Sequence, residues 1–452
     1  MSTLLIRNIH TLVTMNARRE ELRQAWMLVR DHSIDAIGGM RDPAPQADEV
    51  LDLQDRHVVL PGLVNTHHHF FQSLTRVVPQ AQNCSLFEWL KTLYPLWSRL
   101  TSEGVHASTQ LCAAELILSG CTTSSDHLYL YPNDVTLDTE IRAAQEVGLR
   151  FHPCRGSMSV GESQGGLPPD ALVESEAEIL RDSQRVIEHY HDPGPHSMLR
   201  IALAPCSPFS VSMDLMRESA VLARSYDGVR LHTHLAENRH DVAYSIETFG
   251  LSPGAWAESI GWVGADVWHA HCVQLVGAAI ELFGRTRTGV AHCPCSNLRL
   301  ASGLAPIRKM RQAGVPVGLG ADGAASNDAT NLLHEARQAM LIARVLDEDA
   351  AAMTAREALE IATRGGAAVL GRDDIGVIEP GVCADFIAID VDRPAFAGAH
   401  DLVAALVFCQ IDRVDYSFIH GRCIVDQGRI RTLDLPSVAE RAKQLASRLL
   451  AS

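Results

Sequence analysis

Short apolar runs rich in β-branched residues alternate along the chain with longer stretches whose apolar residues recur at helical spacing. The short runs lie at 58–64, 149–153, 199–204, 229–235, 267–271, 288–292 and 315–321, and their length and composition read as buried strands; a further short segment at 121–126 is taken with them as the second strand. Helical patterning covers 86–96, 102–118, 137–147, 171–190, 213–224, 307–313 and 331–346. Eight strand-then-helix units of this size predict an α/β chain whose centre is a closed (β/α)8 TIM barrel, with its active site at the C-terminal ends of the strands. An open doubly wound sheet is the competing architecture. It would want a Gly-rich phosphate turn after the first strand, and none is present.

Strand-and-turn patterns flank the repeat at 5–14, 25–30 and 33–37, and again at 384–389 and 416–425. Each end is too small to fold alone, so the two are expected to pair into a second, smaller β-sandwich domain. The expected division is residues 1–58 for the N-terminal part of the sandwich, 59–370 for the barrel, and 371–452 for the C-terminal part of the sandwich plus a terminal helix. A chain of 452 residues with 46% hydrophobic content can fill one large core and one smaller one.

Charge narrows the partners. The formal net charge is −15, and no Lys/Arg cluster is dense enough to track a phosphate backbone, which argues against nucleic acid or an anionic membrane. No apolar run approaches the length of a membrane span, and residues 1–7 lack the basic start and apolar core of a signal peptide. The eleven scattered cysteines read as reduced core thiols. The expectation is a cytoplasmic homo-oligomer that acts on a small molecule.

The chemistry concentrates at the predicted strand ends. After the first run comes Asn65-Thr66-His67-His68-His69. Alternation along an extended chain puts His67 and His69 on one side and His68 on the other. Two imidazoles on one face at the end of a buried strand make half of a metal site. The fifth run reads Leu231-His232-Thr233-His234-Leu235-Ala236-Glu237; His232 and His234 share a face, and His234, nearer the end, is the third candidate ligand. Glu237 sits where strand becomes loop, close enough to act on a group held by His234. The sixth run ends at His271-Cys272. The eighth runs into Asp322, a lone carboxylate after so apolar a strand, which is costly unless a charge meets it. Gln72 carries a two-faced amide just beyond the histidine pair, and Arg155 and Trp89 are weaker candidate binding residues, for a carbonyl contact and for stacking respectively. Glu103, Glu115 and Glu140 read as solvated helix faces. Cys293 and Cys295 have no second cysteine pair to complete a structural zinc knot, and the H-x-E…P-C-x-x-C pattern of cytidine-type deaminases is absent.

The stretches Pro61–Asn65 through His69, His234-Leu235-Ala236-Glu237, Ala270-His271-Cys272, His292-Cys293-Pro294-Cys295-Ser296-Asn297 and Gly320-Ala321-Asp322-Gly323 together resemble the amidohydrolase superfamily. Within it they resemble the mononuclear-metal aminohydrolases that deaminate heterocycles. The resemblance implies that His67, His69, His234 and Asp322 are metal ligands and that Glu237, His271 and Asp322 are catalytic. It implies one divalent ion per chain, Zn²⁺ with Fe²⁺ as the alternative, since the carboxylated lysine of binuclear members has no counterpart. The only lysines are Lys91, Lys309 and Lys443, none near the fourth strand. Finer features around Gln72, Arg155–Ser159 and Gly165–Pro169 resemble the branch acting on oxopurines. They imply conversion of 8-oxoguanine and water to uric acid and ammonia. Isoxanthopterin, guanine, an adenosyl thioether and an s-triazine such as hydroxyatrazine are alternative substrates, and a non-catalytic scaffold is the remote alternative.

Overall fold

The computed structural model describes residues 2–451, and the strands among them form two sheets. In chain order they are β1 (Thr3–Val13), β2 (Glu21–Arg30), β3 (Ser33–Gly38), β4 (Glu49–Asp52), β5 (His57–Pro61), β6 (Leu63–Asn65), β7 (Cys121–Leu128), β8 (Arg150–Ser157) and β9 (Ala202–Pro205). They continue with β10 (Arg230–Leu235), β11 (Val267–His271), β12 (Gly289–His292), β13 (Val317–Leu319), β14 (Phe386–Asp390), β15 (Tyr416–Ile419), β16 (Arg422–Asp426) and β17 (Arg429–Ile430). β6 to β13 close into an eight-stranded parallel barrel, sealed where Leu319 of β13 pairs with Asn65 of β6. The remaining strands, from both chain ends, form one nine-stranded sheet. Its core joins Ile6, Met27 and Ile34 to Phe386, Ala388 and Phe418, so the sheet curls onto itself like a sandwich.

The apolar run 58–64 is not one strand, as its pattern had suggested. It divides at Pro61-Gly62. β5 pairs with β1 and β14 in the outer sheet, while β6 pairs with β7 and β13 in the barrel. A side chain at Gly62 would bring its Cβ to 2.0 Å from Thr122 Oγ1, so the crossing demands glycine. The first strand therefore ends at Asn65, and His67 to His69 lie in an extended segment just beyond it. Asn65 holds that end: its Oδ1 accepts from the Ala321 N–H at 2.8 Å and its Nδ2 donates to Ser124 Oγ at 2.9 Å.

The helices Ser102–Leu118, Leu137–Val147 and Met213–Arg224 form where periodicity placed them. The expected helix over 171–190 begins only at Glu176, where Ser175 caps it by accepting from the Glu178 N–H; the residues before it make a short 3-10 turn over Asp170–Leu172. Several helices carried too weak a pattern to anticipate, among them Arg239–Phe249, Ala278–Thr286 and Pro294–Arg299. The terminal helix Leu435–Ala451 packs on Ser102–Leu118 of the barrel. Among the described residues no helix is long and apolar enough to cross a membrane, and all eleven cysteines are free thiols.

Barrel and sheet are joined by a buried ion pair. Arg150, at the start of β8, donates Nε to Asp385 Oδ2 at 2.7 Å and Nη2 to Oδ1 at 3.0 Å, while Nη1 reaches the carbonyls of His196 and Ser197. Both side chains are essentially inaccessible. Removing one partner strands the other charge, so Arg150→Met is expected to destabilise the fold by about 3–5 kcal/mol. Arg150→Met with Asp385→Leu should recover much of that loss. Urea-unfolding midpoints check both; no recovery in the double variant would show that the stranded charge is not the main cost.

Candidate metal centre and catalytic cleft

The site grows out of strand alternation. On β10, Arg230, His232 and His234 face the barrel interior in successive layers; His232 stacks on the buried Trp268 ring, with centroids 4.4 Å apart. Above that layer, at the C-terminal end, His67, His69 and His234 converge. The rings of His67 and His69 lie 4.7 Å apart, and those of His67 and His234 lie 4.8 Å apart.

Each of these imidazoles has its tautomer fixed from behind. His69 Nδ1 donates to the His127 carbonyl at 2.7 Å, and His234 Nδ1 donates to the Cys206 carbonyl at 2.7 Å. His67 Nδ1 lies 2.8 Å from His232 Nε2, and His232 Nδ1 donates to the Trp268 carbonyl at 3.0 Å. His232 Nε2 is thus an acceptor, and His67 Nδ1 carries the hydrogen. All three Nε2 atoms are left with lone pairs directed at one point. His67 Nε2 has no hydrogen-bond partner, and the Nε2 atoms of His69 and His234 face each other at 3.2 Å. Burial holds all three imidazoles below their ordinary pKa, His234 at about 3, so they are neutral, as metal ligation requires.

Asp322 supplies the carboxylate. Its Oδ1 lies 3.4 Å from both His67 Nε2 and His69 Nε2. Its N–H donates to the His67 carbonyl at 3.1 Å, and Ser296 Oγ donates to Oδ2 at 2.5 Å. Burial alone would raise this carboxyl; the His271 imidazole facing Oδ2, with the Ser296 hydroxyl and the Gly323 N–H donating to its oxygens, outweighs it and holds it well below the ordinary range. Three imidazole nitrogens with no hydrogen to accept, set beside an ionised carboxylate, fit a divalent cation. Gly320 lets the strands close around it: a Cβ there would sit 2.9 Å from His67 Cβ. His127, not anticipated, brings a fourth imidazole within 4.8 Å of the other three; its Nε2 donates to the Ala204 carbonyl and its Nδ1 is unpartnered.

Glu237 and His271 stand beside this set. His271 Nδ1 donates to Asn297 Oδ1 at 3.0 Å, which turns Nε2 toward Glu237 Oε2 at 3.6 Å and Asp322 Oδ2 at 3.8 Å. Burial pulls the imidazole down, but the Glu237 and Asp322 carboxylates outweigh it and leave it above its usual value. Burial pushes the Glu237 carboxyl up to about 7, against the pull of His271. Asp241 orients the loop by accepting the Glu237 N–H at 3.0 Å.

These groups share a cleft of about 430 Å³, counted to its open mouth. Leu86, Trp89, Leu90 and Tyr94 line one wall at i, i+3, i+4 and i+8 of the helix Leu86–Trp97. Trp89 is held by its Nε1 donating to the Ala325 carbonyl at 3.2 Å. Gln72 enters from the 3-10 turn Phe70–Thr75, and its buried Oε1 has no partner. Arg155 does not reach the cleft. It lies on the outer side of β8, with Nη2 2.7 Å from Glu174 Oε1, Nε 2.7 Å from Asp182 Oδ2, and its guanidinium over the Tyr131 ring. The expected strand, 149–153, stops short of this residue, whereas β8 runs on to Ser157 and turns it outward. Ser296 and Asn297, which hold Asp322 and His271, lay within a recognised stretch but had been given no role.

The amidohydrolase family model matches residues 58–424. The chain belongs to the amidohydrolase family. It is accordingly a hydrolase of carbon–nitrogen bonds. It is 45% identical to 8-oxoguanine deaminase of Pseudomonas aeruginosa, covering all of both chains. It is 36% identical to hydroxydechloroatrazine ethylaminohydrolase of Pseudomonas sp. (strain ADP), covering all of this chain and 96% of that one. The fold superposes on the crystal structure of atrazine chlorohydrolase from Arthrobacter aurescens TC1 complexed with zinc, with a TM-score of 0.92 and 32% identity over 98% of this chain and all of that one. The buried His/Asp cluster and the zinc-bound relative both mark a divalent-metal site.

Proposed function

We propose that this protein hydrolytically deaminates a free 2-amino oxopurine, with 8-oxoguanine as substrate and uric acid and ammonia as products. The observation that carries the chemistry is the meeting, in one buried cleft, of four convergent metal donors and a carboxyl held near neutrality. The substrate rests on the full-length likeness to 8-oxoguanine deaminase. In this proposal His67, His69, His234 and Asp322 hold one Zn²⁺. A divalent ion in such a set supplies Lewis acidity that brings the pKa of water from about 15.7 to near 7. Asp322, ionised and anchored by Ser296, takes the proton of the attacking water. Glu237, able to carry a proton at neutral pH, protonates the ring nitrogen beside the amino-bearing carbon, and aromaticity is lost. His271, with Nδ1 committed to Asn297, directs Nε2 to the attacking oxygen. The amine leaves as ammonia once Glu237 or Asp322 has given it a proton. Trp89 stacks on the ring, and Gln72 Oε1 accepts an N–H from its edge. An aminated s-triazine is the second reading, favoured by the likeness to the ethylaminohydrolase and by the shared fold of the atrazine enzyme.

Three measurements test the proposal. Elemental analysis of the purified protein should find one divalent ion per chain, and His67→Ala with His69→Ala should abolish it; two ions, or unchanged content, would overturn the ligand set. Glu237→Gln should keep the metal yet lower kcat by roughly 10²–10⁴-fold, as removal of a positioned acid–base group does; more than about a tenth of wild-type kcat would exclude the proton-transfer role. In a panel of 8-oxoguanine, guanine, isoxanthopterin and hydroxyatrazine, kcat/KM should be greatest for 8-oxoguanine. Guanine lacks a hydrogen-bonding feature of 8-oxoguanine, and a site built around such a feature can reject the lacking analogue by about 10⁴-fold. Parity with guanine or preference for the triazine would overturn the substrate while leaving the hydrolase intact.

A further inference from the structure

Glu140 contradicts its sequence pattern: it lies in the helix Leu137–Val147 but is 1% exposed, not on a solvated face. Its neighbour is Asp126 of β7, also 1% exposed and on the outer side of the barrel, away from the cleft. Both oxygens of Glu140 and Oδ2 of Asp126 are buried without a hydrogen-bond partner, and the two carboxyls lie near enough to act on each other's protonation. Two carboxylates cannot hydrogen-bond without a proton, and buried ionised acceptors facing each other would repel strongly. Burial pushes both carboxyls up, Asp126 to about 7, and the charges acting on them are other carboxylates, Asp322 and each other. We propose that Asp126 and Glu140 share one proton, and that this hydrogen-bonded link is a positioning device for the metal-binding segment.

The connection to that segment is direct. Asp126 Oδ1 accepts the Phe70 N–H at 2.7 Å, immediately after His69. The next residue, His127, donates its N–H to the His68 carbonyl at 2.8 Å and accepts His69 Nδ1 at its own carbonyl. His68 is turned away from the site: its Nδ1 accepts the His69 N–H at 2.8 Å and lies 3.7 Å from Asp126 Oδ1. Three successive hydrogen bonds from residues 126 and 127 thus fix the backbone and ring of His69. Glu140, through the shared proton, clamps the carboxyl that makes the last of them. A carboxyl alone can serve as this link only by taking up a proton; an amide at position 140 can do so without one.

The test therefore compares Glu140→Gln with Glu140→Ala in the full-length, zinc-loaded protein. The amide N–H of Glu140→Gln donates to Asp126 Oδ2, so zinc affinity by chelator competition should stay within about threefold of wild type. Glu140→Ala and Asp126→Ala, which release the anchor, should weaken zinc by about 10–100-fold, as loss of an outer support for a ligand does. Infrared difference spectra at neutral pH, wild type minus Glu140→Gln, should show the C=O stretch of a protonated, hydrogen-bonded carboxylic acid that the variant has lost. Absence of that band in wild type, or an affinity loss in Glu140→Gln as large as in Glu140→Ala, would overturn the shared proton. Wild-type zinc affinity in both alanine variants would overturn the positioning role. The metal arm rests on His69 being a ligand, whereas the infrared band does not. Retention of zinc in His67→Ala with His69→Ala would sink the ligand reading and leave the band in place.

Discussion

The site depends on one constraint: three imidazole nitrogens are brought, lone pairs first, into one buried cluster beside the Asp322 carboxylate. An unpaired buried acceptor costs about 1–3 kcal/mol, and here several share the cost. A bound cation offsets all of them at once, so metal binding and the local fold are coupled. The protein commits itself by using the other nitrogen of each ring. Carbonyls of His127, Cys206 and, through His232, Trp268 take the three Nδ1 hydrogens. These carbonyls lie in or just beyond β7, β9 and β11, so the closed barrel itself dictates which nitrogen faces the metal.

Backbone strain marks the same rim. Ala236, His271, Cys272 and Asp322 all have φ between 50° and 70°, a left-handed conformation that costs a residue with a side chain on the order of 1–3 kcal/mol. Its effect is visible in β11. Simple alternation would put His269 and His271 on one face. Instead His269 packs on Phe283 outside the barrel, with Nε2 bonded to the Trp262 carbonyl, while His271 turns to meet Glu237 and Asp322. The departure from regular strand geometry is what delivers this imidazole to the cleft.

That same departure sets the limit of what the sequence could tell. Most barrel strands were legible as short, largely apolar runs, β7 with its Thr and Ser residues being the weakest signal, and the His67, His69, His234 and Asp322 positions were legible because polar residues at the ends of such runs are costly without a purpose. The break at Gly62 was hidden because β5 and β6 are both buried and share one hydrophobic pattern across two sheets. The outward turn of Arg155 was hidden because its partners, Glu174 and Asp182, come from beyond the strand. Glu140 misled for the opposite reason. A carboxylate on an amphipathic helix belongs in water unless another group holds it, and that group, Asp126, lies 14 positions away on a strand.

Four buried carboxyls show how one fold assigns different protonation states to the same functional group. Desolvation raises every one of them, so their neighbours decide the outcome. Asp322 faces the His271 imidazole and accepts hydrogen bonds from Ser296 Oγ and the Gly323 N–H, which outweigh burial and keep it ionised. Glu237 faces the same imidazole, with Asp322 and Asp241 opposing it, and comes to rest near 7. Asp126 and Glu140 face each other, and both are pushed upward. Proton transfer between a water and a ring needs one acid and one base in reach of the same atoms. The barrel provides them by placing two carboxyls on either side of a single imidazole and giving only one of them the neighbouring histidine cluster. Their division of labour therefore follows from position, since an exchange of Glu for Asp at either place would leave those neighbours unchanged.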